Sequence, residues 1–309
     1  MRSLYSMDTI QIEILNACQK NCANCTRFCG HVKKPFFMSL DQFKEAVDSM
    51  VGYPKMTGVM GGEPLLHPQF EEFCHYIKSK IPKKQLGLWT GFPKGYERYR
   101  EVICDTFYHI FLNDHTRDDI YHHSALVGVE EVFENEHIMW NCIDHCGAQE
   151  SWSASINPRG AWFCEIAASM SILFEEGEGW KVEPQWHWKI PADFRSQMDM
   201  FCRRCGMSAP LQRRRSIEVF DDISPKNLER LKGRSRKIEK GEYVISDLQV
   251  AENIEPMASY KDLEYRNRIA QRYGIEVVIN EMNFWTPILM GKKKFIEKSL
   301  YEVFRERNK

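Results

Sequence analysis

Three cysteines share one short segment of this chain, Cys18-x3-Cys22-x2-Cys25, directly after the alternating run Ile10-Gln11-Ile12-Glu13-Ile14. Three thiolates at that spacing can grip one face of a [4Fe–4S] cluster and leave one iron without a protein ligand. The same spacing also suits a structural zinc, which wants four protein ligands, with Cys29 or His31 as the fourth. A second group follows in Cys142, Cys146, Cys164, Cys202 and Cys205. Cys202-Arg203-Arg204-Cys205 is a pair tight enough to bite one metal or cluster, and a hairpin ending at Cys164 can bring it a third thiolate. Four of these five complete a closed site, with Cys142 either replacing Cys146 or left as a free thiol. A zinc ribbon is the plain alternative.

Composition frames that chemistry. The chain has 309 residues, 43% of them hydrophobic, enough for a real core in one large domain or a main domain with a smaller partner. A formal charge of −1 gives no general field for nucleic acid or an acidic membrane. The opening residues lack a signal-peptide pattern, and no apolar run approaches the roughly 18 residues of a membrane span, so the expected location is cytoplasmic. Eleven cysteines in a reducing compartment point to ligation, not to disulfides.

The elements that must position the cysteines are legible as period changes. The strand at Ile10–Ile14 is followed by a capping box at Ser39-Leu40-Asp41-Gln42 and a helix with Phe43, Ala46, Val47 and Met50 on one face. Thr57–Met60 reads as a strand running into Gly61-Gly62-Glu63-Pro64. Phe70, Phe73, Cys74 and Ile77 mark a helix, Leu86–Thr90 a strand, Tyr99, Val102 and Ile103 a helix, and Tyr108–Leu112 a strand. This alternation is that of a parallel α/β sheet or barrel with sites at the strand C-termini, with a fifth strand expected at Ala125–Val129. From about residue 140 tryptophans and cysteines crowd a stretch built on hairpins, one turning at Asn157-Pro158-Arg159-Gly160. Three units are expected: 1–140, 141–215, and a C-terminal extension over 216–309 with a strand at Ile275–Ile279 and a helix at Lys294–Arg307. The extension is expected to cover the substrate cleft or to mediate self-association.

The segment Cys18-Gln19-Lys20-Asn21-Cys22-Ala23-Asn24-Cys25 resembles the CxxxCxxC signature of radical S-adenosylmethionine (radical SAM) enzymes, and Gly61-Gly62-Glu63-Pro64 resembles their GGEP motif. The resemblance covers residues 8 to 115 well. It implies a partial (β/α) barrel in which S-adenosylmethionine completes the coordination of the open iron. Gly61, Gly62 and Glu63 would then hold its amino group, with Thr90 and Asn113 at the methionine or ribose moiety. Asn24 stands where the family usually has an aromatic residue near adenine.

Cys146-x17-Cys164-x37-Cys202-x2-Cys205 is similar to the twitch domain, a shortened SPASM domain known from 2-deoxy-scyllo-inosamine dehydrogenase, which holds one auxiliary [4Fe–4S] cluster. Two clusters and S-adenosylmethionine are therefore the implied cofactors, with a low-potential donor such as flavodoxin or ferredoxin. The implied activity is hydrogen abstraction and net oxidation of a sugar, aminocyclitol or similar small polar molecule. Cys142 as a hydrogen donor would give epimerisation instead. The same residues also admit a peptide-modifying maturase and, in a different class, a non-enzymatic zinc-binding module. Weaker signals are Asp114-His115 as an acid–base pair, Trp186-His187-Trp188 as a stacking platform, and Arg203, Arg204 and Arg213–Arg215 as a phosphate site.

Overall fold

The structure, a computed structural model, describes residues 1–151, 154–251 and 278–279. In chain order these form β1 (Thr9–Glu13), α1 (Leu40–Ser49), β2 (Met56–Met60), α2 (Phe70–Lys80), β3 (Leu86–Thr90), α3 (Arg100–Thr106), β4 (His109–Leu112) and β5 (Tyr121–His123). Then come α4 (Val129–Val132), α5 (Glu136–Asp144), α6 (Gly147–Ser151), β6 (Ala154–Asn157), β7 (Gly160–Trp162), α7 (Glu165–Phe174) and α8 (Arg195–Phe201). The last elements are β8 (Arg213–Arg215), β9 (Asp221–Ile223), α9 (Pro225–Leu231), α10 (Arg236–Glu239), β10 (Tyr243–Ile245) and β11 (Val278–Ile279).

One seven-stranded sheet organises the molecule, in the order β11-β4-β3-β2-β1-β6-β7. Every pair in it is parallel except β6–β7. The alternation in β1 looks like that of a strand with one wet face, yet all five of its residues are buried. Ile10 and Ile12 join Val59, Leu88, Phe43 and Phe73 in the main core, where the Phe43 and Phe73 rings stack at 4.1 Å. Gln11 and Glu13 point to the other face, beside a small separate cluster of Met60, Trp89 and Phe111. Gly58 is required there, because a Cβ would stand 2.4 Å from the Trp89 ring.

The capping box forms as the sequence predicts. Ser39 Oγ accepts from Gln42 N at 3.2 Å and Gln42 Oε1 from Ser39 N at 3.0 Å, a motif whose loss costs about 1 kcal/mol. The hairpin also forms, with Gly160 at φ +118° where the backbone of Trp180 leaves no room for a Cβ. It does not stand on a sheet of its own: β6 pairs with β1 and extends the main sheet. Expected strand Ala125–Val129 is replaced by β5 and a single bridge, Leu126 with Ile223. β5 pairs with β8, so the stretch before residue 140 is hydrogen-bonded to the stretch beyond 210. Of the expected C-terminal strand, Val278–Ile279 pairs with β4; the rest of it and the helix at Lys294–Arg307 lie outside the described residues.

Candidate functional site

β1 delivers the cysteine segment to the C-terminal edge of the sheet, and β2 delivers the glycines beside it. Gly62 N donates to Leu15 O and Glu63 N to Ala17 O, both at 2.9 Å. The two segments touch backbone to backbone: a Cβ on Gly61 would stand 2.2 Å from Leu15 O, and one on Gly62 2.2 Å from Ala17 O. Only glycine fits at either place. Cys18, Cys22 and Cys25 line one cavity of about 170 Å³ together with Cys29, Gly61, Gly62 and Asn113, whereas His31 is turned to Asp221 and Ser235 outside it.

Glu63 sits just behind that wall, 2% exposed. Its carboxylate accepts from Thr90 Oγ1 at 2.6 Å, Gly91 N at 2.8 Å and Leu65 N at 3.2 Å, while Pro64 opens the short helical turn that follows. Burial raises its pKa and these donors pull it back, so the carboxylate is held in a fixed orientation. Thr90 thus faces Glu63, and Asn113 alone of that pair borders the cavity.

Asn24 adopts a left-handed φ of 48° and turns away from the cavity. Its Nδ2 donates to Asp222 Oδ2 at 2.7 Å and to Ser124 Oγ at 3.3 Å, and its Oδ1 accepts from Asp222 N at 2.8 Å. The side chain ties the cysteine segment to the C-terminal segment, so its amide is engaged there and not turned toward the cavity.

His115 lines the cavity, and its partner is a histidine and not Asp114, which binds Thr116. His122 Nδ1 lies 2.6 Å from Ala23 O, so it carries the proton and donates; His122 Nε2 then accepts from His115 Nδ1 at 3.0 Å. Loss of solvation, with His122 beside it, pushes His115 well below its usual range and keeps it neutral.

Residues that sequence reasoning passed over complete the wall. Arg27 Nη2 and Glu165 Oε2 form an ion pair at 2.6 Å with both side chains under 7% exposed, and both line the cavity. Glu13, 1% exposed, lies within reach of their charges, and its two carboxylate oxygens make no hydrogen bond of normal geometry although Ser169 stands near. Burial raises Glu13 to about 7, Arg27 opposes the shift and Glu165 adds to it. The signals were present: Glu165 directly follows Cys164, Arg27 follows Cys25 by two, and Glu13 ends the strand that leads into the cysteines.

The later cysteines also converge. Cys146 after α5, Cys164 at the start of α7, and Cys202 and Cys205 after α8 line one small space of about 30 Å³. Cys142 is buried in α5 and borders neither cavity. Ala148, Ile166 and Met207 line both cavities, so the two adjoin at these side chains. Burial pushes the thiols of Cys18, Cys22 and Cys164 up to about 12, and those of Cys202 and Cys205 well above their usual value. Cys25 is lowered, first by a hydrogen bond from Cys29. Loading either set therefore expels protons. Among the described residues no three His, Cys, Asp or Glu side chains close on a single metal-ion position; each cysteine set surrounds a space instead.

The remaining weak candidates divide: Arg213 lines the cavity beside the cysteines and Trp188 is exposed, whereas the others have partners within the fold. Arg203 pairs with Glu136, Arg204 with Glu176, and Arg214 and Arg215 with Glu218, so these guanidinium groups already have acidic partners in place of a phosphate. Trp186 is buried with its Nε1 on Ser49 Oγ, and His187 packs against Tyr5 and Tyr53. No helix among the described residues is long and apolar enough to cross a membrane.

Neither a protein-family model nor a curated protein matches the sequence. Among solved structures, the chain is similar to a crystal structure of BtrN in complex with AdoMet and 2-DOIA, at 12% identity and a TM-score of 0.43, over 64% of this chain and 88% of that one. It is likewise similar to selenomethionine BtrN in an open conformation, at 14% identity and a TM-score of 0.42, over 64% of this chain and 86% of that one.

Proposed function

We propose that this chain is a radical SAM oxidoreductase of the partial-barrel type, holding one [4Fe–4S] cluster on Cys18, Cys22 and Cys25 and an auxiliary one on Cys146, Cys164, Cys202 and Cys205. The observation that carries the reading is the meeting of the Cys18, Cys22 and Cys25 thiols with the Gly61–Gly62 backbone around one cavity, where Cys29 also stands and hydrogen-bonds to Cys25. Three protein ligands leave one iron open, and the glycines put main-chain groups where a bound amino acid moiety can be held. Cys18, Cys22 and Cys25 would hold a cluster that, once reduced, would supply the single electron for splitting a sulfonium carbon–sulfur bond of S-adenosylmethionine, the chemistry from which hydrogen abstraction follows.

The chain's own residues then divide the remaining work. Glu63, pre-set by Thr90 and Gly91, holds the glycine turn in register beside the methionyl group. Trp89 closes one wall of the cavity with an apolar face, and the Arg27–Glu165 pair supplies charge and hydrogen bonds on another. That mixture suits a small polar substrate such as a sugar or aminocyclitol better than a hydrocarbon. His115, neutral and hydrogen-bonded through Nδ1, presents an acceptor at Nε2.

Oxidation is favoured over epimerisation because Ala148, Ile166 and Met207 border both cysteine-lined cavities, whereas Cys142 borders neither. The electron that starts each turnover would come from a flavodoxin or ferredoxin in the cytoplasm. Iron and sulfide analysis of protein purified without oxygen tests the reading: about eight irons and as many sulfides per chain are expected from two four-iron clusters. Stoichiometric zinc with little iron refutes it. A ketone product from a panel of polyols and aminocyclitols supports oxidation, and an inverted centre supports the epimerase.

A further inference from the structure

Charged, buried residues from far along the chain hold the cysteine segment from behind. Lys237 on α10 is fully buried; its ammonium donates to Cys22 O at 3.0 Å and pairs with Asp221 Oδ1 at 2.6 Å. Asp221, 1% exposed, also accepts from Asn24 N at 2.7 Å and meets His31 Nε2 at 2.5 Å. His31 Nδ1 lies 2.7 Å from Ser235 Oγ, and His31 O accepts from Arg236 N at 2.9 Å. The fit is close: a Cβ on Gly30 would stand 2.5 Å from Lys237 Cε. Neither Lys237 nor Asp221 borders the cavity.

As a plain stabiliser this arrangement is a poor choice, since a buried ion pair is often replaceable by apolar residues without loss. What apolar residues cannot do is donate to the main-chain carbonyl of one cysteine and accept from the main chain two residues on. A fixed cation behind a thiolate-held cluster also favours its reduced form, because hydrogen bonds and local charge set cluster potentials. We infer that Lys237 and Asp221 are a positioning pair that fixes the backbone of Cys22 and Asn24, so that the stretch over 213–245 belongs to the cluster site and sets the geometry and potential of the cluster held there. The inference rests on the reading of Cys18, Cys22 and Cys25 as cluster ligands.

The test compares Lys237→Met with the double variant Lys237→Met/Asp221→Asn, which removes the pair without leaving a lone buried carboxylate. In both, the cluster on Cys18, Cys22 and Cys25 should show an altered paramagnetic spectrum, a changed potential, lowest in Lys237→Met where the carboxylate is left uncompensated, and iron release to a chelator at least about tenfold faster. The auxiliary cluster, measured in the same samples, should be unchanged. A double variant with wild-type potential and release rate overturns the proposal. Equal losses from both cysteine sets also overturn it, because they show a general effect on folding. If wild-type protein takes up no cluster, the parent reading fails, and amide hydrogen exchange in metal-free protein still decides the pair. Faster exchange over residues 18–31 in the double variant supports it, and unchanged exchange refutes it.

Discussion

Glu13→Gln is the substitution whose effect follows most directly from the buried charges. Glu13 is 1% exposed, and desolvation raises its pKa from the ordinary 4.5 to about 7, because the nearest cation, Arg27, is already engaged with Glu165 at 2.6 Å. Below pH 4.5 the folded and unfolded chains both hold the proton, and the site contributes no pH dependence. Between 4.5 and about 7 the unfolded chain has lost its proton while the folded one keeps it, so stability falls as pH rises through that window. At roughly 1.4 kcal/mol per pH unit the full loss above pH 7 is about 3 kcal/mol. A neutral amide of the same shape removes that penalty. Urea unfolding of metal-free wild type and Glu13→Gln should agree near pH 4.5, and the variant should be more stable by about 3 kcal/mol at pH 8. A variant less stable than wild type at pH 8, or an unchanged pH slope, refutes the reasoning and shows a well-solvated or strongly paired carboxylate.

Arg27→Met should act in the opposite sense: it strands Glu165 in the interior, and a loss of about 3–5 kcal/mol in urea unfolding is expected at neutral pH. Gly62→Ala should push the glycine turn away from Ala17, where the new Cβ has 2.2 Å to the carbonyl; S-adenosylmethionine binding by equilibrium dialysis should weaken by at least about tenfold. Cys202→Ser should halve the iron content and leave the spectrum of the cluster on Cys18, Cys22 and Cys25 intact, whereas Cys142→Ser should change neither.

The strands and helices up to β4 were legible because each has a clean period and, at α1, a complete cap. What period two does not reveal is which medium faces the polar side. Gln11 and Glu13 read as solvent-facing positions and instead lie inside, since both faces of a central parallel strand are covered. The first cysteine set was legible because its members share one short segment, whereas Cys146, Cys164 and the Cys202–Cys205 pair lie far apart in sequence and were grouped by their resemblance to a known spacing. The lining shared by the two cavities was not legible, since Ala148, Ile166 and Met207 are ordinary apolar residues whose only distinction is place. Asn24 shows the limit of motif transfer: its position in the cysteine segment matched a family contact, but its amide bonds to Asp222, nearly two hundred residues later. Lys237 and Asp221 gave no signal at all, because a lysine and an aspartate sixteen positions apart look like any solvated pair until burial is known.

The proposed chemistry requires an iron beside Cys18, Cys22 and Cys25 that is open to S-adenosylmethionine. Protein purified without oxygen, reduced and mixed with S-adenosylmethionine, should release methionine and 5′-deoxyadenosine in equal amounts, while Cys25→Ala, keeping its auxiliary iron, should release neither. Wild-type protein with a full complement of iron that yields no 5′-deoxyadenosine, or a Cys25→Ala variant that still yields it, contradicts the account.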